Sequence, residues 1–198
     1  SKSGGDWGVV AVRLNSGAAE LSALDAADRL YTVIEADDDS LTARQIGVIA
    51  GTCHPLRDGR DALLDLFAGP DMSIVALTIT EKGYCLTGGA LDLAHPGVVA
   101  DLADPTAPET AIGVIVEGLA RRRAAGIGGL SVLSCDNLPE NGRLAREAVL
   151  AFAAEREAGL AEWIAANVTF PATMVDRIVP ALDDAGRALL REITGQDD

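Results

Sequence analysis

The sequence predicts an α/β fold, with a doubly wound and mostly parallel sheet that carries helices on both faces. Short apolar segments rich in β-branched residues alternate along the chain with longer segments in which apolar residues recur at helical spacing. Several of the short segments are almost continuously apolar, which is typical of parallel strands buried on both faces. With 198 residues, 48% of them hydrophobic, the chain is long enough for one sizeable core. We therefore expect one domain over residues 1–198.

Four strands are predicted in the first half of the chain. They cover residues 6–14, 31–34, 45–50 and 73–79. Residues 21–30 are either a short helix or a loop, and the acidic segment 35–40 is expected to be a solvated turn. Residues 58–67 have helical spacing, and Gly69-Pro70 ends that helix.

The second half of the chain is mostly helical. Helices are predicted over residues 109–123, 143–155, 159–167 and 181–193, with a shorter helical turn over 98–102. A fifth strand, residues 130–133, stops in a polar turn in which Asp136, Asn137 and Asn141 are turn and cap formers. Ligands bind at the carboxyl ends of the strands in such sheets. Asn137 is therefore either a plain turn residue or an amide that faces a ligand.

The charge and the cysteine pattern exclude several classes of protein. A formal net charge of −14 argues against non-specific binding to nucleic acid or to anionic membranes, although backbone N–H groups can still bind a phosphate. The three cysteines show no C-x-x-C spacing, and neither Cys53-His54 nor His95 belongs to a metal-binding pattern. No leader and no membrane-spanning apolar run is visible. We expect a soluble, cytoplasmic protein without a metal and without disulfides.

The dinucleotide fingerprint G-x-G-x-x-G is missing. Gly126 and Gly128 have its first interval, but Ser131 holds the third place and a strand follows them where one should precede. Residues 15–18, after the first strand, contain no carboxylate of the kind that usually holds the adenosine ribose. The acidic residues 37–39 belong more naturally to a solvated loop. These residues therefore do not decide whether a bound dinucleotide would carry a 2′-phosphate.

Three motifs resemble one family in their order and separation. They are L-T-I-T-E-K-G-Y-C at residues 77–85, S-C-D-N-L-P-E-N-G at 134–142 and F-P-A-T-M-V-D-R-I-V-P at 170–180. Together they resemble the polyol-specific long-chain dehydrogenases, which include mannitol 2-dehydrogenases and hexuronate reductases such as fructuronate reductase. The resemblance runs from about Asp6-Trp7 to Pro180.

The resemblance implies a Rossmann-like fold that is incomplete at the N-terminus. In the family, a strand and a glycine-rich turn that hold the cofactor's pyrophosphate precede the Asp-Trp pair. A C-terminal helical domain follows and carries the catalytic lysine. The resemblance thus implies that this chain is a portion of a longer enzyme, that it is inactive alone, and that it exposes an apolar face through which it can self-associate.

The resemblance also assigns roles to four residues. It places Asn137 at the oxyanion that develops on the substrate, where a neutral amide donor stabilises charge without competing for the proton. By spacing alone, Thr80 and Glu81 fit a plain strand end with a surface Glu equally well, and Asp176 with Arg177 fits a simple ion pair. The resemblance instead implies that Thr80 and Glu81 lie near the nicotinamide of NAD or NADP, together with Asn137, with Glu81 near the proton-exit route. It also implies that Asp176 binds the substrate. Lys82 is expected to be solvated, because the family's lysine base lies in the other domain.

The function that follows is hydride transfer between a nicotinamide cofactor and a polyol, keto-sugar or hexuronate. Substrates of the mannitol/fructose and mannonate/fructuronate types both fit. The sequence of the third motif is slightly closer to that of fructuronate reductases, which favours the second type. The alternative is a non-catalytic α/β binding module that has lost its cofactor and base sites.

Overall fold

The computed structural model describes residues 7–36, 41–174 and 184–195. The strands are β1 Val9–Val12, β2 Tyr31–Ala36, β3 Leu41–Ile46, β4 Ile49–Cys53, β5 Ile74–Leu77, β6 Leu86–Thr87, β7 Ala90–Leu91 and β8 Ser131–Ser134. The helices are α1 Ala18–Ala26, α2 Pro55–Asp58, α3 Arg60–Phe67, α4 Thr80–Gly83, α5 Pro96–Ala103, α6 Ala111–Ala124, α7 Asn141–Arg156, α8 Ala158–Asn167 and α9 Asp184–Thr194. No helix among these residues is long and apolar enough to cross a membrane.

The chain divides into two compact units. Residues 1–57 and 177–198 form the first unit, and residues 58–176 form the second. The expectation of one domain over the whole chain stays a prediction, so each unit is described by itself.

The first unit contains one parallel and one antiparallel pair of strands. Strand β1 runs parallel to β4, with Val12 opposite Cys53, and α1 packs against β4. Strands β2 and β3 form an antiparallel hairpin. Asp25 on α1 is bound by Thr52 of β4 and by the guanidinium of Arg57, whose Nη1 lies 3.0 Å from the Asp25 carboxylate. This polar link fixes the helix to the end of its strand.

The second unit is built on the parallel pair β5 and β8. Helices α6, α7 and α8 supply most of its buried side chains, among which Ile112, Leu119, Phe152 and Leu160 are at most 1% exposed. Helix α6 begins where Thr110 accepts a hydrogen bond from the Gly113 N–H. The short hairpin β6–β7 turns through two glycines, Gly88 and Gly89, at positive φ.

A buried arginine fastens the ends of two helices in the second unit. Arg122 on α6 is 3% exposed, and its guanidinium donates to the carbonyl oxygens of Phe67, Gly69 and Gly128. Phe67 and Gly69 lie at the C-terminal end of α3, whose last carbonyls have no partner inside the helix. Arg122 therefore caps α3 and holds the loop after α6.

Several predicted elements differ from the observed ones. The predicted strand 45–50 is wrong, because β3 ends at Ile46 and β4 begins at Ile49. An apolar run conceals such a break, since hydrophobicity does not mark where one strand stops and the next begins. The segment 21–30, which by sequence is either a short helix or a loop, is mostly helix α1.

The prediction that the first strand is buried on both faces is wrong for β1. Val9, Val10 and Val12 are 46%, 41% and 39% exposed. Within the described part of the chain, β1 pairs with β4 alone, and α1 is packed on β4. The sequence expectation assumed helices on both faces of each strand.

Candidate active site

The candidate site lies where β5 and β8 end at the same edge. The two strands are parallel, with Ile74 opposite Ser131 and Leu77 opposite Ser134. The Cys135 N–H extends the pairing by donating to the Leu77 carbonyl oxygen at 2.8 Å. The residues that follow each strand, 78–80 and 135–137, therefore emerge beside each other, as the carboxyl ends of parallel strands must.

Asp136 connects these two segments through its carboxylate. Its Oδ1 accepts from the Thr80 N–H at 2.9 Å, and its Oδ2 accepts from the Ile79 N–H at 3.1 Å. The Tyr84 hydroxyl, at the end of α4, also donates to Oδ2, at 2.7 Å. Three donors from the segment after β5 thus converge on one side chain after β8.

Tyr84 is the buried member of this group. Its side chain is 0% exposed, and its hydroxyl lies 2.6 Å from Ser134 Oγ as well as next to Asp136. Burial raises the pKa of the Tyr84 hydroxyl well above its usual value, while the hydrogen bond from Ser134 opposes this and the neighbouring Asp136 adds to it. Tyr84 therefore stays protonated at neutral pH and serves as a hydrogen-bond donor.

Asn141 makes a second cross-link, from the start of α7. Its Nδ2 donates to the Asp136 carbonyl oxygen and to both Oγ1 and the carbonyl oxygen of Thr173, each at 3.0 to 3.1 Å. Its Oδ1 accepts from the N–H groups of Gly142 and Thr173. Thr173 in turn donates through Oγ1 to the Ser134 carbonyl oxygen at 2.6 Å. The segment that contains Thr173 is thereby fixed against the end of β8.

The structure places Asn137, Thr80 and Glu81 on exposed backbone at this edge. All three residues are exposed, and none of their side chains is hydrogen-bonded to another described residue. Thr80 has a φ of 60°, a left-handed conformation that is strained for a β-branched residue. The Asp136 carboxylate binds the N–H of this strained residue. Lys82 is exposed, as expected.

Asp176 lies outside the described residues, so its assignment to the substrate stays a prediction. The described part of its motif, residues 170–174, ends one residue after Thr173, which Asn141 holds. In the first unit, residues 15–17 form the turn between β1 and α1, and Gly17 begins the helix at a φ of 85°.

The three cysteines and the two histidines are buried or half-buried. Cys53, Cys85 and His54 are buried, and the His95 ring accepts from the Gly97 N–H at the start of α5. Burial raises the pKa of the Cys85 thiol. Among the described residues, no group of three or more His, Cys, Asp and Glu side chains is arranged to hold a metal ion.

Sequence reasoning missed the residues that hold this edge together. Asp136 and Asn141 were expected only as turn and cap formers, yet the residue before α7 is Glu140, with a left-handed backbone, and Asn141 is 2% exposed. Tyr84 and Ser134 were assigned no role. The available signal was that polar residues stood in, or next to, otherwise buried segments, because a buried polar group implies a hydrogen-bond partner.

Comparison with known proteins decides the family. Residues 2–195 match the model of the mannitol dehydrogenase Rossmann domain. The chain belongs to the mannitol dehydrogenase family. The expected resemblance is thereby confirmed, and so is the Rossmann-like α/β fold class, which the similarity to a solved structure of the family supports as well.

Individual members of the mannitol dehydrogenase family show how close the likeness is. The chain is 47% identical over 195 residues to a protein of Escherichia coli (strain K12) described as uncharacterized oxidoreductase YdfI. It is 46% identical over 195 residues to the D-mannonate oxidoreductase of the same organism. This match covers 96% of this chain and 40% of that protein. The solved ternary complex of Pseudomonas fluorescens mannitol 2-dehydrogenase with NAD and D-mannitol matches with a TM-score of 0.90 and 43% identity.

The match covers nearly all of this chain but only part of each relative. For the E. coli oxidoreductase the coverage is 98% of this chain and 40% of the relative, and for the P. fluorescens structure it is 95% and 39%. This member of the mannitol dehydrogenase family thus spans about 40% of the length of the relatives that it matches.

Proposed function

We propose that this chain is the Rossmann portion of a longer dehydrogenase. In this proposal, the complete protein transfers a hydride between a nicotinamide cofactor and a polyol, a keto-sugar or a hexuronate. The observation that carries the proposal is the placement of Asn137. Its amide is exposed at the carboxyl edge of a parallel pair, directly after a residue that is held by three hydrogen bonds.

Asn137 has the chemistry that carbonyl reduction requires. Reduction of a ketone, or oxidation of a secondary alcohol, builds negative charge on one oxygen. An amide N–H donates to that oxygen without itself exchanging a proton, and a donor fixed in advance stabilises the charge most effectively. The absence of any described partner for the Asn137 side chain leaves its N–H groups available to a substrate.

The cofactor fits the exposed groups at the same edge. Thr80 and Glu81 present polar side chains beside Asn137, and parallel α/β sheets bind nucleotides at this edge. The nicotinamide supplies the hydride acceptor or donor. In our proposal Thr80, Glu81 and Asn137 border it, while the general base comes from a C-terminal domain of the complete protein.

The turn after β1 in the first unit supports the proposal that the enzyme accepts NADP. Arg13, after β1, is exposed and has no acidic partner among the described residues. Its side chain lies against Gly17, so closely that a Cβ on that glycine would overlap Arg13 Cδ. An arginine at this position of a nucleotide-binding fold accommodates a 2′-phosphate, and residues 15–18 offer no carboxylate to repel one. We propose that the enzyme accepts NADP as well as NAD.

The two substrate classes follow from the relatives. One is a D-mannonate oxidoreductase and another was solved with D-mannitol, at 46% and 43% identity to this chain. Such similar values favour neither class, so both belong to the proposal, together with Asp176 as a residue that binds the substrate.

A titration of the complete protein tests the proposal. NADH and NADPH binding is measured by fluorescence, and hydride transfer is followed with D-mannitol, D-fructose, D-mannonate and D-fructuronate. We expect saturable binding and turnover with at least one substrate pair. A complete protein that binds neither cofactor would instead be the non-catalytic binding module.

A further inference from the structure

We propose that Asp136 is a positioning residue for the reaction. In this inference, which rests on the proposed function, its carboxylate sets the distance between the segment that contains Thr80 and the segment that contains Asn137. Asp136 itself need not contact substrate or cofactor, because both of its oxygens already accept hydrogen bonds from Ile79, Thr80 and Tyr84.

Two sets of hydrogen bonds make this link between the segments rigid. Two successive backbone N–H groups, of Ile79 and Thr80, bind the two different carboxylate oxygens, which prevents rotation of either segment about a single bond. The Tyr84 hydroxyl binds Oδ2 and is itself held by Ser134 on β8. Because Asn137 is the next residue along the backbone, a shift of Asp136 moves the amide that we place at the oxyanion.

A second aspartate in the same unit has the same donor set. Asp101, on α5, accepts from the Glu109 N–H through Oδ1 and from the Thr110 N–H through Oδ2, at 2.8 and 2.9 Å. The Thr110 hydroxyl also donates to Oδ2, at 2.6 Å. Asp101 thus receives two successive N–H groups and one hydroxyl, as Asp136 does, but it fixes the start of α6 and touches none of the site residues.

Asp101 is therefore a matched control for the loss of these bonds. An ionised carboxylate only accepts hydrogen bonds, whereas an amide must place its NH2 group against one of the N–H donors. The substitutions Asp136→Asn and Asp101→Asn remove the same kind of acceptor, and because Asp101 is buried while Asp136 is half-buried, Asp101→Asn should disturb its surroundings at least as much. Only the first is expected to displace groups of the candidate site.

The experiment compares both variants in the complete enzyme. The urea midpoint measures stability, cofactor titration measures binding, and steady-state kinetics separate kcat from KM. We expect Asp101→Asn to lose at least as much stability as Asp136→Asn. We expect kcat to fall roughly 10- to 100-fold in Asp136→Asn, since small misplacements of a reacting group have effects of this size, and to stay within about twofold in Asp101→Asn.

A milder variant, Tyr84→Phe, tests the same link if Asp136→Asn does not fold. Tyr84→Phe removes one of the three donors and leaves both N–H groups in place, so we expect a reduction in kcat between those of the two aspartate variants. If the unsubstituted enzyme is active and Asp136→Asn loses no more kcat than Asp101→Asn, the positioning role is wrong while the proposed function stands. If the unsubstituted enzyme neither binds cofactor nor turns over, both fail together.

Discussion

Two neighbouring residues at the end of β8 have opposite surroundings. The Asp136 carboxylate is occupied by three donors, whereas the Asn137 amide faces outward without a partner in the described region. A group that supports structure has its hydrogen-bonding capacity used within the protein. A group that meets a ligand must keep that capacity available, and Asn137 satisfies this requirement.

The first prediction concerns this amide. In the complete enzyme, Asn137→Ala should lower kcat by roughly a hundredfold or more, because one donor to the developing oxyanion is lost. The dissociation constant for NADH should change much less. Asn167→Ala, which removes an exposed amide at the end of α8, is the control and should leave kcat unchanged. Near-normal turnover by Asn137→Ala would remove this residue from the site.

The second prediction concerns cofactor choice. Ala18→Asp, at the first position of α1, should shift the ratio of kcat/KM values toward NAD, because a carboxylate repels the 2′-phosphate and binds the ribose hydroxyls. The same change at Gly17 is unsuitable, since its φ of 85° and the adjacent Arg13 side chain would strain any Cβ. An unsubstituted enzyme that already rejects NADP would contradict the proposed role of Arg13.

At the scale of elements, close backbone contacts fix the segment after α8. A Cβ on Gly129 would overlap the carbonyl oxygen of Asn167, and one on Gly142 would lie 2.7 Å from the carbonyl oxygens of Phe170 and Pro171. These two glycines let the chain pass close to β8 and to the start of α7. Asn141 then fastens Thr173 there, which sets where the rest of the third motif begins.

The third prediction uses two adjacent glycines. Gly129→Ala should lower the free energy of unfolding by roughly 1 to 3 kcal/mol, because the added methyl group meets backbone atoms that have little room to move. Gly128→Ala is the matched control. No atom lies within 4 Å of its added Cβ, so we expect a change of less than about 1 kcal/mol. Urea unfolding of the two variants measures the difference, and equal midpoints would contradict the contact.

Local features of these elements were predictable from the sequence, and distant contacts were not. Gly126 follows the predicted helix 109–123, where a glycine commonly ends a helix, and it has the left-handed φ of 69° that such an end requires. The polar turn that exposes Asn137 was also visible. The partners of Asp136 were not, because Ile79 and Tyr84 lie more than fifty residues away in sequence. Only the register of β5 with β8 brings them together.

At the scale of the whole molecule, the exposed apolar side chains of the first unit matter most. Trp7 is 68% exposed, and the three valines of β1 are each about 40% exposed or more. Large apolar side chains that are exposed to solvent promote association. We therefore expect the isolated chain to self-associate through β1, which sedimentation velocity over a range of concentrations measures.

The fourth prediction is that the 198-residue chain alone is catalytically silent. No G-x-G-x-x-G turn is present in it to hold a pyrophosphate, and we assign the general base to another domain. The purified chain should show no turnover above buffer with NAD or NADP and D-mannitol, or with NADH or NADPH and D-fructose or D-fructuronate. Turnover would show that Lys82 or another local group acts as the base.

The rate at which a buried thiol is alkylated reports how often each unit opens. Cys53 lies in the first unit and is 4% exposed, while Cys85 lies in the second and is 7% exposed. A thiol at either place reacts with an alkylating reagent only when its surroundings open, and the raised pKa of Cys85 slows its reaction further in the closed state. The half-buried Cys135 should be alkylated first. If residues 1–198 form one domain, peptide mass spectrometry will find Cys53 and Cys85 labelled with the same dependence on urea. Separate dependences would mean that the two units open independently, and that the edge carrying Asn137 can survive while the first unit unfolds.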